Sequence, residues 1–406
     1  MNLFQPICAL LLFLSLEAIY VAQWKIYPIV FSLFICSVCL ALVFSKASAS
    51  WPRFPKTAWY GCCAYLLYVL AIFGVRGGDV AVLVKLVVNV LFFLAACLFF
   101  LSMAGEGKAE AVKKTVVLAC FVSIVLSFAQ TLMSVAVGHL WFLPLSISDS
   151  TDAYAIQDAC RIYFGDQNKN IWATKTLFSY LTFFALRDSR WRMKDTVALC
   201  LFLFVMVYTS SRTAQLALIV SMSLYALRQV WPRARFLVKS SMLALAGAAA
   251  MVGLAILRLP AAQLDISQGN GGDGLLARFI LWNYLATALP DFGLREWVFG
   301  HGVFAVSSFM NVMFEENNLH NVFLNQFFDY GVVGVALYCC FLSFFFLSLS
   351  SRRRWLFVPA VAIAVSSQYF GYDAELMILF AVGLLLGDCV VRKGILHHSG
   401  QPQNAI

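Results

Sequence analysis

The sequence predicts an all-α polytopic membrane protein of about twelve spanning helices, with a helical lid on the side away from the cytoplasm. Three observations carry this. The chain is 62% hydrophobic and 12% charged, whereas soluble domains hold about 45–50% apolar and about 25% charged residues. Apolar runs of the length a bilayer needs recur along most of it. Lys and Arg gather in alternate connections between those runs.

The apolar segments lie at roughly 3–22, 26–46, 58–75, 79–103, 111–138, 168–187, 194–210, 212–229, 237–258, 320–349, 354–369 and 373–391. The first lacks a basic leading region, contains Glu17 and shows no small-x-small cleavage pattern, so it reads as a retained helix. Residues 1–258 then supply helices one to nine with an outer loop at about 139–167, and 259–319 form a large outer loop. Residues 320–391 supply the last three helices, and 392–406 a polar tail. With the N-terminus inside, 19 of the 29 Lys and Arg fall in cytoplasmic connections, 9 fall outside and Lys85 sits within a span. Lys175 counts with the outer group. This split predicts both termini in the cytoplasm. It makes the formal net charge of +9 a topology signal, and no nucleic-acid partner is implied.

Eleven of the twelve cysteines lie in or beside apolar segments, leaving Cys160 by itself in an outer loop, so no disulfide framework is expected. Cys62-Cys63 and Cys339-Cys340 are adjacent pairs without C-x-x-C spacing and read as small apolar filler.

The large outer loop opens at Pro260 and passes through the flexible stretch Gly269–Gly274. A helix is expected over 275–289, stopped by Pro290. A turn-rich segment DFGLREWVFGHG follows, then a short helix through VFAVSSFMNVMF. Loops of this length are functional or disordered. This one is too apolar and aromatic for disorder, so it is expected to fold back on the bundle as a lid.

Three basic side chains fall on the outer side by charge counting. Arg212 stands at a tight connection between two spans, beside Ser210, Ser211 and Thr213. It reads either as a phosphate clamp, through its planar fork of donors, or as an interface anchor. Arg278 lies on the lid helix four residues before Trp282, which shares a helix face with it. This is a second phosphate contact held by stacking, or a surface cation–π pair. His320 opens the tenth span. It reads as a general base for a hydroxyl proton or as a helix-start residue bonding the backbone. A metal role is disfavoured, because no second His or Cys stands at ligand spacing. Lys85 should face the bundle, with Glu17 as a candidate partner. Asp373 and Glu375 are secondary carboxylates.

His320-Asn321, nine residues and then Gly331-Val332-Val333-Gly334 form a pattern. With Ser211-Arg212 at the start of a span and Arg278 in a large loop ahead of the His, it resembles the O-antigen ligase family, which is related to O-antigen polymerases. The motifs cover about 209–334. The resemblance implies a C-type inner-membrane glycosyltransferase whose donor is a glycan on undecaprenyl diphosphate at the periplasmic face. By position it implies that Arg212 and Arg278 bind the diphosphate and that His320 activates an acceptor hydroxyl. Ser211, Trp282, Asn321 and Asp329 are possible supporting residues, with helix packing or capping the default for Asp329. The expected acceptor is lipid A–core oligosaccharide and the expected outcome is inversion. The outer loops contain no Asp-x-Asp, so no cofactor or metal is expected. The alternatives are an O-antigen or exopolysaccharide polymerase and, from another class, a transporter or flippase.

Overall fold

The computed structural model describes residues 27–44, 56–105, 109–137, 169–187, 191–209, 211–230, 275–312, 318–348, 356–361 and 363. Among them the chain is helical, apart from turns and one isolated bridge between Gly78 and Val303. The longer helices are α1 (Tyr27–Phe44), α2 (Lys56–Arg76), α3 (Val80–Gly105), α4 (Ala109–Val137), α5 (Lys169–Leu186), α6 (Met193–Thr209) and α7 (Arg212–Val230). After them come α8 (Leu275–Ala288), α9 (Leu294–Phe299), α10 (Ala305–Asn311) and α11 (Val322–Ser348). The expected spans at 3–22, 237–258 and 373–391 lie outside the described residues. So do the loop at 139–167, the stretch 269–274, Glu17, Asp373 and Glu375.

Each long helix is apolar for most of its length, and α4 and α11 contain stretches long and apolar enough to cross a membrane, Lys113–Met133 and Val322–Phe341. Beside an apolar core, the long helices also bury small hydroxyl residues and expose large apolar ones. Ser123, Ser127, Ser179 and Thr182 are buried where α4 meets α5, while Leu118 and Leu67 stand open to the outside. Small hydroxyl residues between helices and leucines outward is the arrangement that lipid favours.

Aromatic contacts tie the helices together. Phe92 of α3 meets Phe31 and Phe34 of α1, with ring centroids 4.3 and 4.9 Å apart. Tyr180 of α5 stacks on Phe202 of α6 at 4.2 Å, and Phe184 of α5 meets Tyr225 of α7 edge-on at 5.6 Å. Tyr65 of α2 lies against Tyr338 and Phe341 of α11. Lys175, counted from the sequence with the outer charges, is buried inside α5. Its ammonium lies over the Trp172 ring, 5.0 Å from the centroid, and this cation–π contact offsets part of the cost of removing it from water.

Between 275 and 348 the first helix matches the sequence reading to within one residue, and two later features differ from it. The helix expected over 275–289 ends at Ala288, and Leu289–Asp291 tightens into a 3-10 turn with Pro290 in its first positions. Proline fits there because its missing N–H is not needed in a first turn. The segment expected to be turn-rich contains α9, a six-residue helix between Gly293 and Gly300. It is too short for a periodic pattern to reveal. The span expected as one helix over 320–349 is interrupted at Gly331, whose φ of 68° and ψ of −169° lie outside the helical region.

That interruption organises the packing of α9 against α11. A Cβ on Gly331 would sit 2.3 Å from the Val298 carbonyl oxygen, and one on Gly300 would sit 2.4 Å from the Asp329 backbone. Glycine is therefore required on both sides of the contact between α9 and α11. Past Gly300, the amides of His301 and Gly302 donate to the Phe328 and Asp329 carbonyls, each at 3.0 Å. A helical ladder would have used those acceptors internally. Tyr68 of α2 donates to the Tyr330 carbonyl at 2.8 Å. The first part of α11, α8 and α10 share a small core of Ile280, Leu281, Leu285, Val306, Met310, Leu319 and Phe328.

Candidate functional site

Arg212 is the first residue of α7, at the end of a tight α6–α7 turn. Ser211 is buried, and its Oγ accepts from the Ala214 amide at 3.5 Å, which makes it the N-terminal cap. Gln215 reaches back across the turn and donates from Nε2 to the Met206 carbonyl at 3.0 Å. These bonds fix the turn and leave Arg212 exposed, with no side-chain partner among the described residues. A guanidinium at a helix start adds to the partial positive charge of the free amides there, a combination that favours anions.

His320 sits just before α11, half-buried, with its backbone in the left-handed region at φ 49°. Non-glycine residues there carry strain of about 1–3 kcal/mol, so the surroundings must hold it, and they do. The His320 amide donates to Asn318 Oδ1 at 2.7 Å. The Leu319 amide donates to Asn325 Oδ1 at 2.9 Å, and the Leu319 carbonyl accepts from Trp282 Nε1 at 2.8 Å. The peptide beside His320 is thus held from both ends. Asn321 caps α11, its Oδ1 accepting from the Phe323 and Leu324 amides at 3.0 and 3.2 Å.

Trp282 links this corner to the second cation. It is one helical turn beyond Arg278 on α8, so its bond to Leu319 brings the α8 face that carries Arg278 to the loop that carries His320. Arg278 and His320 are both half-buried. Arg212 stands on a separate helix, and no described contact joins it to α8 or to the His320 loop.

Asp329 is buried. Its Oδ1 accepts from the Val306 amide at 2.9 Å, at the start of α10. Its place in the structure is the junction between α10 and the break in α11. His301 stacks on Phe328 with centroids 4.3 Å apart, and its Nδ1 lies 3.2 Å from the Phe328 carbonyl oxygen. Glu296 of α9 pairs with Arg76 at 3.2 Å. Its carboxyl is held below its ordinary value, first by a hydrogen bond to its own backbone and then by Arg76. Lys85 is half-buried in α3. No group of three or more His, Cys, Asp or Glu among the described residues is placed to share a metal ion.

The sequence reading passed over Asn318 and Asn325, which set the His320 backbone. Asn325 is fully buried, and its Nδ2 has no hydrogen-bond partner among the described residues. An asparagine within an apolar run was the available signal, because a buried amide in a span demands a partner. Arranged this way, the corner presents an imidazole at a helix entrance and a guanidinium on the helix bound to it, while the second guanidinium, Arg212, stands apart at another helix start. Such groups can move a proton and neutralise a polyanion.

Two comparisons bear on this geometry. A family model described as O-antigen ligase matches residues 197–339, a stretch that includes Arg212, Arg278 and His320. No curated protein matches the chain.

Proposed function

The chain carries a domain of the O-antigen ligase family over residues 197–339, and from that premise we propose that it is an O-antigen ligase of the bacterial inner membrane. The family membership itself supports glycosyl transfer of the ligase or polymerase type at a membrane. The donor in this reading is a glycan on undecaprenyl diphosphate, and the acceptor is a hydroxyl of lipid A–core oligosaccharide on the periplasmic face. The twelve-span topology, with both termini cytoplasmic, belongs to the same reading.

The supporting observation is the Leu319 peptide, held by Asn325 on one side and Trp282 on the other. It presents His320 at a fixed orientation beside the helix that bears Arg278. His320 accepts the proton of the acceptor hydroxyl as its oxygen attacks the anomeric carbon. The bond from that carbon to the diphosphate oxygen breaks, undecaprenyl diphosphate leaves and the anomeric configuration inverts. Arg212 and Arg278 stabilise the negative charge that grows on the leaving diphosphate, a term worth about 10²–10³ in rate for one fixed donor. Loss of the base costs about 10²–10⁴.

The test uses purified protein in lipid with both lipid-linked substrates. His320→Ala and Arg278→Ala should each abolish most turnover while the protein stays folded, and a chelator should leave the wild type active. Full activity of His320→Ala, or strict dependence on added metal, overturns the mechanism. The family match leaves a polymerase as the second reading, and a cell lacking the protein separates the two. Bare core with polymer retained on undecaprenyl diphosphate means a ligase, and core capped by a single repeat means a polymerase. Proteoliposome uptake of the donor without transfer would mean a transporter.

A further inference from the structure

We propose that α9 is a membrane-interface foot, with Leu294, Trp297 and Phe299 inserted among the acyl chains of the leaflet where α2 ends and α3 begins. The inference concerns how the lid region is anchored and stands whether or not the reaction above is correct.

The level of α9 relative to the bundle is fixed by three contacts. Glu296 pairs with Arg76, the last residue of α2, at 3.2 Å. The loop from α2 to α3 is bonded to the segment just after α9, since Val303 donates to Gly77 at 3.2 Å and accepts from Asp79 at 3.1 Å. The back of α9 lies directly on the break in α11, where Val298 leaves room only for the hydrogen of Gly331. So α9 sits at the end of one apolar helix, the start of a second and the break in a third, and this level leaves the turns of α11 before Gly331 outside the bilayer and the stretch after it to cross.

At that same level the apolar residues of the three neighbours face outward. Val75 is 67% exposed, Val80 60% and Val332 53%. Their helices are apolar along their length, so this outward surface is one that lipid covers. The outer side of α9 continues it, with Leu294 82% exposed and Phe299 44%. Trp297 keeps one edge against Phe327 and shows the other outward. Arg295 is exposed beside them, and the carboxylate of Glu296 is paired with Arg76. Leucine, tryptophan and phenylalanine with a flanking arginine are the residues that settle at the boundary between headgroups and acyl chains. In water the same face would be an apolar patch on a loop with nothing over it.

The test places the full-length protein in phospholipid nanodiscs. One sample carries a phospholipid with a diazirine partway down its acyl chain, and a second receives a water-soluble diazirine. After photolysis, peptides are mapped. The lipid probe should label 294–299 as strongly as it labels 75–84, and Leu294→Asp should lower labelling of α9 several-fold while labelling of Lys113–Met133 stays unchanged. Labelling of 294–299 by the water probe and not by the lipid probe would show a solvent-exposed loop. Absence of labelling by both would show a protein surface over α9, from this chain or a second copy. Either result overturns the proposal.

Discussion

Replacing Gly331 with alanine tests the junction on which the lid region rests. The residue has φ 68° and ψ −169°, a combination open essentially to glycine, and forcing another residue there costs of order 1–3 kcal/mol. The added methyl would also meet the Val298 carbonyl oxygen at 2.3 Å and its carbon at 2.4 Å. Those are backbone atoms, which cannot rotate away, and overpacking of this kind adds about 1–3 kcal/mol. The contact between α9 and α11 should therefore weaken by at least ~2 kcal/mol, or about thirtyfold in the population in which α9 has detached. Arg295 is exposed in the middle of this segment and offers a trypsin site that needs local unfolding. When opening is fast relative to cleavage, the cutting rate follows the open population. Limited proteolysis in nanodiscs should show the rate at Arg295 rising by about that factor in Gly331→Ala, with no change in Val332→Ala, a neighbour that faces outward. Equal rates for wild type and Gly331→Ala would show that the break at Gly331 does not hold α9 in place.

Further outcomes follow from the same contacts. Trp282→Phe keeps an aromatic ring but gives up the five-membered part of the indole and with it the donor to Leu319. It should cost about 0.5–1.5 kcal/mol and reduce kcat of glycan transfer more than it raises KM, because the His320 loop loses its tether; an unchanged kcat argues against a link between α8 and His320. Asp329→Ala removes the buried acceptor of the Val306 amide and should lower thermal stability by about 1–3 kcal/mol, with Asp329→Asn recovering part of it; equal losses in both would mean that the charge matters more than the hydrogen bond. Glu296 has a folded carboxyl value below its ordinary 4.5. Its ionised form therefore stabilises the fold above that ordinary value, and the contribution disappears as pH falls through the lowered one. The pair is partly exposed and its effect is small. Glu296→Gln should flatten the acid limb of a melting-temperature series and leave the neutral region nearly unchanged, and an identical acid limb in both proteins refutes the assignment.

Composition and apolar run length were enough to mark the chain as helical with membrane-helix character and to locate most described helices, because spanning a bilayer demands long apolar runs. The sequence also located the His320–Gly334 pattern and the two arginines, since charged and glycine residues stand out against an apolar background. Tertiary structure decided the rest. Gly331 looks like helix-packing glycine in sequence, and only contact with Val298 makes its broken backbone visible. The six residues of α9 carry no readable period, and their placement rests on contacts with Gly331 and with Arg76, the latter 220 positions away. Asn321 and Asp329 belong to one linear pattern with His320, yet their oxygens are engaged by backbone amides at two helix starts. The charge count that sets Lys175 with the outer group does not show that it is buried over Trp172. The contacts of Gly331, α9 and Asp329 depend on residues distant in the chain meeting in space, which hydropathy, a local property, does not encode; Asn321 and Lys175 engage near neighbours, and there the side-chain geometry decides what the residue does.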